Sequence, residues 1–199
     1  ALGPWRATLD IEAQGLTGAS RSAAKVVTTG DRQLLYGQLQ HEQLVNGEGT
    51  KVVLSAGRAR SYPDLPGALG ALALDTESRT LGLSVQHPLV RSRTQNVYVR
   101  LGLTSYDGQT RANATLTGED RIRALRLGLT WDRADSLKGL NVVDVELSKG
   151  LSGFGASARD DPNKSRLNGR PDFAKATLYA ARLQSLAHRW SVLVAAVMA

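Results

Sequence analysis

From Ile122 to Arg133 the chain alternates with a period of two. Leu125, Leu127, Leu129 and Trp131 fall on one parity, and Arg126, Gly128, Thr130 and Asp132 on the other. Successive side chains of an extended strand point to opposite faces, so this pattern describes a strand with one apolar and one polar face. The same alternation sets Val97, Val99, Leu101 and Leu103 against Tyr98, Arg100 and Gly102. It sets Val143, Val145 and Leu147 against Asp144, Glu146 and Ser148, and Trp5, Ala7, Leu9 and Ile11 against Arg6, Thr8, Asp10 and Glu12. Helical spacing fits these windows poorly, and the Gly and Thr inside them disfavour helix further. The pattern predicts an all-β chain.

Read along its length, the chain divides into about ten strands near 5–13, 20–28, 33–43, 50–60, 77–87, 95–106, 121–133, 140–151, 172–184 and 189–198. Most of these spans run roughly nine to thirteen residues, longer than usual in soluble sheets and sufficient for a tilted bilayer crossing. The connections sort into short ones (Val45–Gly49, Pro88–Thr94, Ala134–Gly139, Ser185–His188) and long ones (Ser61–Thr76, Asp107–Asp120, Ser152–Pro171). From the third strand onward short and long alternate, as in a membrane barrel with short turns at one end and long loops at the other. The long segments suit exposure: Ser152–Pro171 holds Gly153, Gly155, Asp160, Asp161, Pro162 and Asn163, and Ser61–Thr76 holds Pro63, Pro66, Gly67 and Gly70. The expected architecture is an antiparallel transmembrane β-barrel.

Composition narrows the chemistry. The 199 residues carry a net charge of +7 and no cysteine, which removes disulfides, thiolate metal sites and a cysteine nucleophile. No apolar run is long enough for a membrane-spanning helix. The basic residues are scattered arginines with few aromatic platforms between them, so nucleic acid is not an expected partner. A barrel accounts for them better. Arg100, Arg126, Asp132, Asp144 and Glu146 all lie on the polar parity and are the candidate pore-lining residues. Arg91, Arg93, Arg133 and Lys138 fall at short turns, and Trp131, Trp190, Tyr98 and Tyr106 are candidates for an interfacial aromatic girdle.

The stretch from Arg79 to Tyr98, with His87-Pro88-Leu89, Arg91-Ser92-Arg93 and Asn96-Val97-Tyr98, resembles the two-partner secretion transporters, the TpsB or hemolysin activation/secretion family. The resemblance continues through Leu125–Leu129, Asp132–Asp135, Gly139–Asn141, Leu147–Leu151, Asp172–Lys175 and Arg182–Leu186, with an earlier match at Tyr36–Leu39, over about residues 32–192. It implies a part of a 16-stranded barrel in the outer membrane of a Gram-negative bacterium. It further implies export of a large secreted TpsA-type partner, contact with outer-membrane lipid, and insertion by the barrel-assembly machinery. By the same resemblance the chain is not an enzyme. The POTRA domains of that family, its Val-Arg-Gly-Tyr loop motif and the Asp that meets it have no counterpart among these residues. The expectation is therefore a partial barrel domain over residues 1–199, as a piece of a longer protein or a decayed paralogue.

Other chemistries find little support. His41, His87 and His188 are far apart, so no metal is expected, and no glycine-rich phosphate loop precedes a helix, so no cofactor is expected either. Asp144 and Glu146 share a strand face as paired hydrolytic carboxylates can, but no cleft from other strands is implied. Two alternatives stay open: another outer-membrane barrel of porin or autotransporter type, or a soluble β-sandwich binding module whose apolar stripe packs against a second sheet.

Overall fold

The computed structural model describes residues 5–30, 33–64, 67–166, 168–186 and 189–199. Arg32, Pro66 and His188 lie outside them. Ten strands form one antiparallel sheet in chain order: β1 (Arg6–Gln14), β2 (Ser20–Thr29), β3 (Leu34–Leu44), β4 (Lys51–Ser61), β5 (Asp75–Arg91), β6 (Gln95–Ala112), β7 (Thr115–Ala134), β8 (Gly139–Gly150), β9 (Ala174–Ser185) and β10 (Ser191–Met198). Among the described residues β1 pairs with β2 alone and β10 with β9 alone, so the sheet is an open arc with two edges.

Register puts all the apolar stripes on one side. Leu83 stands opposite Leu54 on β4 and Leu103 on β6, and Leu103 in turn stands opposite Leu125 on β7. This side is the exposed one: Leu39 is 62%, Leu81 59% and Leu101 52% exposed. Intervening polar positions such as Ser84, Arg126 and Thr130 are partly shielded. A sheet curved with its polar face inward produces that difference.

The sheet has almost no core. Among the described residues Val27 and Ala124 are the buried apolar side chains. The accessible surface is 13416 Å² for 21.3 kDa, where a compact soluble protein of this mass exposes about 9,100 Å². A single sheet must cover its apolar face with something. No second sheet is present among the described residues to do so, which sets aside the β-sandwich alternative.

The strands confirm the alternation but overrun its limits. The expected loop Asp107–Asp120 is instead a hairpin: β6 and β7 reach 18 and 20 residues and meet at Asn113-Ala114. Both turn residues have positive φ, 50° and 64°, the backbone of a type I′ turn that matches strand twist. Alternation fades there because both faces are polar. The expected turn Pro88–Thr94 shrinks to 92–94, since β5 continues through a bulge between Pro88 and Val90 that accommodates the proline. At the same end as the β6–β7 turn, a short 3-10 segment (Gly67–Leu72) accepts the Asn113 N–H at Leu72 O, 2.8 Å.

The loop 151–173 has a structural task. β7 outlasts β8, leaving backbone groups of residues 119–123 without a strand on that side. The loop supplies partners: Ser157 N–H donates to Arg121 O (2.9 Å), Arg121 N–H to Ser157 Oγ (2.9 Å), and Glu119 N–H to Asn163 O (2.6 Å). Ser157 is accordingly buried. Covering an exposed strand edge in this way blocks pairing with another chain.

Candidate functional site

All five sequence-predicted residues lie on the polar face, and three of them form one cluster. Arg100 on β6 donates from Nη2 to Glu146 Oε2 at 3.1 Å, and Arg126 on β7 donates from Nη1 to Glu146 Oε1 at 2.6 Å. Arg100 reaches β8 by crossing Gly128, which stands directly opposite both Arg100 and Glu146. A Cβ at Gly128 would sit 2.9 Å from Arg100 Nη2, so glycine is what opens the path. Two guanidinium groups on one carboxylate leave the cluster net positive. Ser148 Oγ adds a bond to Glu146 Oε1 at 3.3 Å.

The remaining two candidates sit in separate pairs toward the short-turn end. Thr130 Oγ1 donates to Asp144 Oδ2 (2.5 Å), and Asn96 Nδ2 donates to Asp132 Oδ1 (2.9 Å). The polar wall thus includes charge-assisted hydrogen bonds that join β6, β7 and β8, two between adjacent strands β7 and β8, one between β6 and β7, and one reaching from β6 to β8.

The polar face continues onto strands that sequence reasoning did not single out. Tyr36 donates to Gln38 (2.7 Å), Gln40 to Glu42 (2.9 Å), and Lys51 pairs with Glu42 (3.4 Å). Their signal was present in the alternation of Tyr36, Gln38, Gln40 and Glu42 against Leu35, Gly37, Leu39 and His41. Two girdle candidates need correction. Tyr98 and Tyr106 share the polar parity, facing Thr130 and Ile122 on β7, whereas Trp131 shares the apolar one with Val97 and Val143. Trp190, in the β9–β10 connection, is 77% exposed.

A second polar cluster organises the short β7–β8 turn. Asp135 Oδ1 accepts the N–H groups of Leu137 (3.0 Å) and Gly139 (2.9 Å), while Oδ2 accepts from Asn141 Nδ2 (3.2 Å) and Arg182 Nη1 (2.5 Å). Arg182 also donates to Asn141 Oδ1 at 2.6 Å, and Gln184 Nε2 donates to Leu137 O at 2.7 Å. The Arg182 guanidinium, then the Gly139 N–H and Asn141, hold the Asp135 carboxyl well below the usual carboxylate range. Asp135 and Asn141 lie on one stretch of the sequence and Arg182 and Gln184 on another, and the pairing of β8 with β9 brings them together.

No protein-family model matches the chain, and no curated protein matches it. Among solved structures it is similar to CdiB from Escherichia coli, with a TM-score of 0.82 at 16% identity. The likeness covers 98% of this chain and 37% of CdiB, so the chain spans well under half of that protein's length. At this identity the likeness is one of fold. The chain is all-β, a ten-stranded antiparallel sheet with the fold of a stretch of the CdiB β-barrel.

Proposed function

We propose that this chain forms part of an outer-membrane barrel that exports a large secreted partner protein in two-partner secretion, a branch of type V secretion. The observation that carries the proposal is the division of the sheet into an exposed apolar face and a shielded polar one, on a wall with the fold of CdiB. An apolar face without a covering layer suits lipid, and hydrogen-bonded hydroxyl, amide and charged groups suit a water-filled lumen. In that setting Arg100, Arg126, Asp132, Asp144 and Glu146 line the pore. They offer an unfolded substrate transient polar contacts and no chemical step, consistent with a conduit of hemolysin or adhesin type rather than an enzyme. The resident membrane is that of a Gram-negative bacterium, with insertion by the barrel-assembly machinery.

The test is secretion itself. The gene encoding this chain is expressed with a candidate large exoprotein gene from the same genome in a host lacking both, and outer membranes and medium are assayed. The expected result is a heat-modifiable band in the outer membrane and the exoprotein in the medium, lost when the barrel gene is deleted. Small-solute conductance without exoprotein release would instead indicate a diffusion porin, and recovery of the chain in the aqueous fraction would overturn the membrane reading altogether.

A further inference from the structure

On the outer face, Arg58 of β4 and Arg79 of β5 stand directly opposite each other. Their side chains are 57% and 64% exposed, and both reach the same oxygen, Glu77 Oε1, at 2.8 and 3.0 Å. Like charges opposite one another on a sheet face repel, and one shared carboxylate leaves a positive charge over. The next cation outward, Arg60, is occupied with Asp75 at 3.5 Å and lies over the Tyr62 ring at 5.0 Å.

The position of the pair matters as much as its charge. Ala56 and Leu81, themselves an opposed pair, are the next residues on the same face in the direction away from Arg60, so the arginines mark the border of the apolar face. In the same row Arg79 also stands opposite Asp107 on β6, but that carboxylate is taken by Arg123 of β7 at 2.8 Å. Immediately on the apolar side of Arg58 and Arg79 the surface is notched. An open groove of about 650 Å³ runs across it, lined among others by Ala24, Leu39, Leu54, Ala56, Leu81 and Leu83. The small residues make the notch between the leucines.

We propose that this notch binds a phosphate-bearing membrane lipid, with an acyl chain in the groove and the headgroup phosphate bridging Arg58 and Arg79. The inference rests on the membrane-barrel reading above. Two guanidinium forks match the geometry and charge of a phosphate monoester better than one shared carboxylate does. Groove and cation pair are adjacent and in the order that a lipid presents its own two parts.

The full chain, folded in a nonionic detergent, is titrated with bisphosphorylated lipid A, with the same lipid stripped of its phosphates, and with inorganic phosphate; binding is read by native mass spectrometry and thermal midpoint. The phosphorylated lipid should bind at least about tenfold tighter than the stripped one, and inorganic phosphate should not displace it in the same range. The double substitution Arg58→Gln with Arg79→Gln should remove that preference, and Arg58→Lys with Arg79→Lys should keep part of it. Ala56→Leu, which fills the groove, should weaken both lipids alike. Equal binding of both lipids to the unmodified chain, or an unchanged preference in the glutamine variant, would overturn the inference, as would displacement by inorganic phosphate. Outer-membrane fractionation of the same preparations separates the two levels. A chain that is membrane-inserted yet indifferent to phosphate sinks this inference alone, and a chain recovered only in the aqueous fraction sinks both.

Discussion

The Asp135 carboxylate accepts a 2.5 Å hydrogen bond from Arg182 Nη1, tying the β7–β8 turn to β9 across 47 positions of sequence. Because the folded-state pKa of Asp135 is depressed, its contribution to stability is complete above the unfolded carboxylate value, about 4, and is lost as pH falls through the folded value. The difference in thermal midpoint between the unmodified chain and Asp135→Asn is therefore expected to be constant from pH 8 to pH 5 and to narrow below pH 4. A difference that instead shrinks between pH 8 and pH 6 would assign the effect to another group.

Gly139 stands against the same guanidinium. A Cβ there would lie 2.3 Å from Arg182 Nη2, and the arginine cannot step aside without leaving Asp135 and Asn141. Gly139→Ala should therefore destabilise the chain to about the extent of Arg182→Gln, since each breaks the same contact. Combining the two should add little, because residues in one network are not additive. A double-mutant cycle on thermal midpoints in detergent checks this, and full additivity would disprove the shared mechanism.

These turn contacts show where the sequence is legible and where it stops being so. Parity alone separates Leu125, Leu127 and Leu129 from Arg126, Gly128 and Thr130, because a strand with one wet and one apolar face must alternate. It also places Arg100, Arg126, Asp132, Asp144 and Glu146 on one side. Parity fails beyond the apolar band, where both faces are polar: residues 107–112 and 115–120 read as loop and are strand. Partnership is a further step removed. That Arg100 meets Glu146 across Gly128 follows from the register of β6, β7 and β8, and nothing local to Arg100 encodes it. Asp135 and Arg182 are likewise joined only by register. The reach of β7 past β8 then explains why the loop after β8 is pinned along it.

Glu146 is the keystone of the polar wall. Its side chain is 19% exposed and neutralises part of the charge of both Arg100 and Arg126. Glu146→Ala is expected to cost about 1–3 kcal/mol, the range for losing hydrogen bonds to charged groups. Arg126→Ala in the same background should return part of that loss by removing one uncompensated cation. Gly128→Leu should reproduce the effect on Arg100 alone. Urea midpoints of the folded chain in detergent measure all three, and an unchanged midpoint in Glu146→Ala would show that the cluster contributes nothing to folding.

The absence of cysteine makes the orientation of the sheet directly measurable. Single cysteines placed in turn from Arg126 to Asp132 carry no background thiol, and each reports the solvent on its own side of β7. In the proposed setting, positions 126, 130 and 132 face an aqueous lumen and should react readily with a charged, membrane-impermeant maleimide. Positions 127, 129 and 131 face hydrocarbon, where reagent is excluded and the thiolate is disfavoured; each unit by which apolar surroundings raise the thiol pKa slows reaction by about tenfold. Exposure in the isolated chain does not produce this contrast, since Leu127 and Leu129 are 47% and 44% exposed and would react at least as fast as their neighbours if they met water. A period-two labelling pattern in intact outer membranes that disappears on denaturation is thus specific to a barrel wall with its arginines inside. Uniform labelling of all the positions would mean that both faces of β7 are wet.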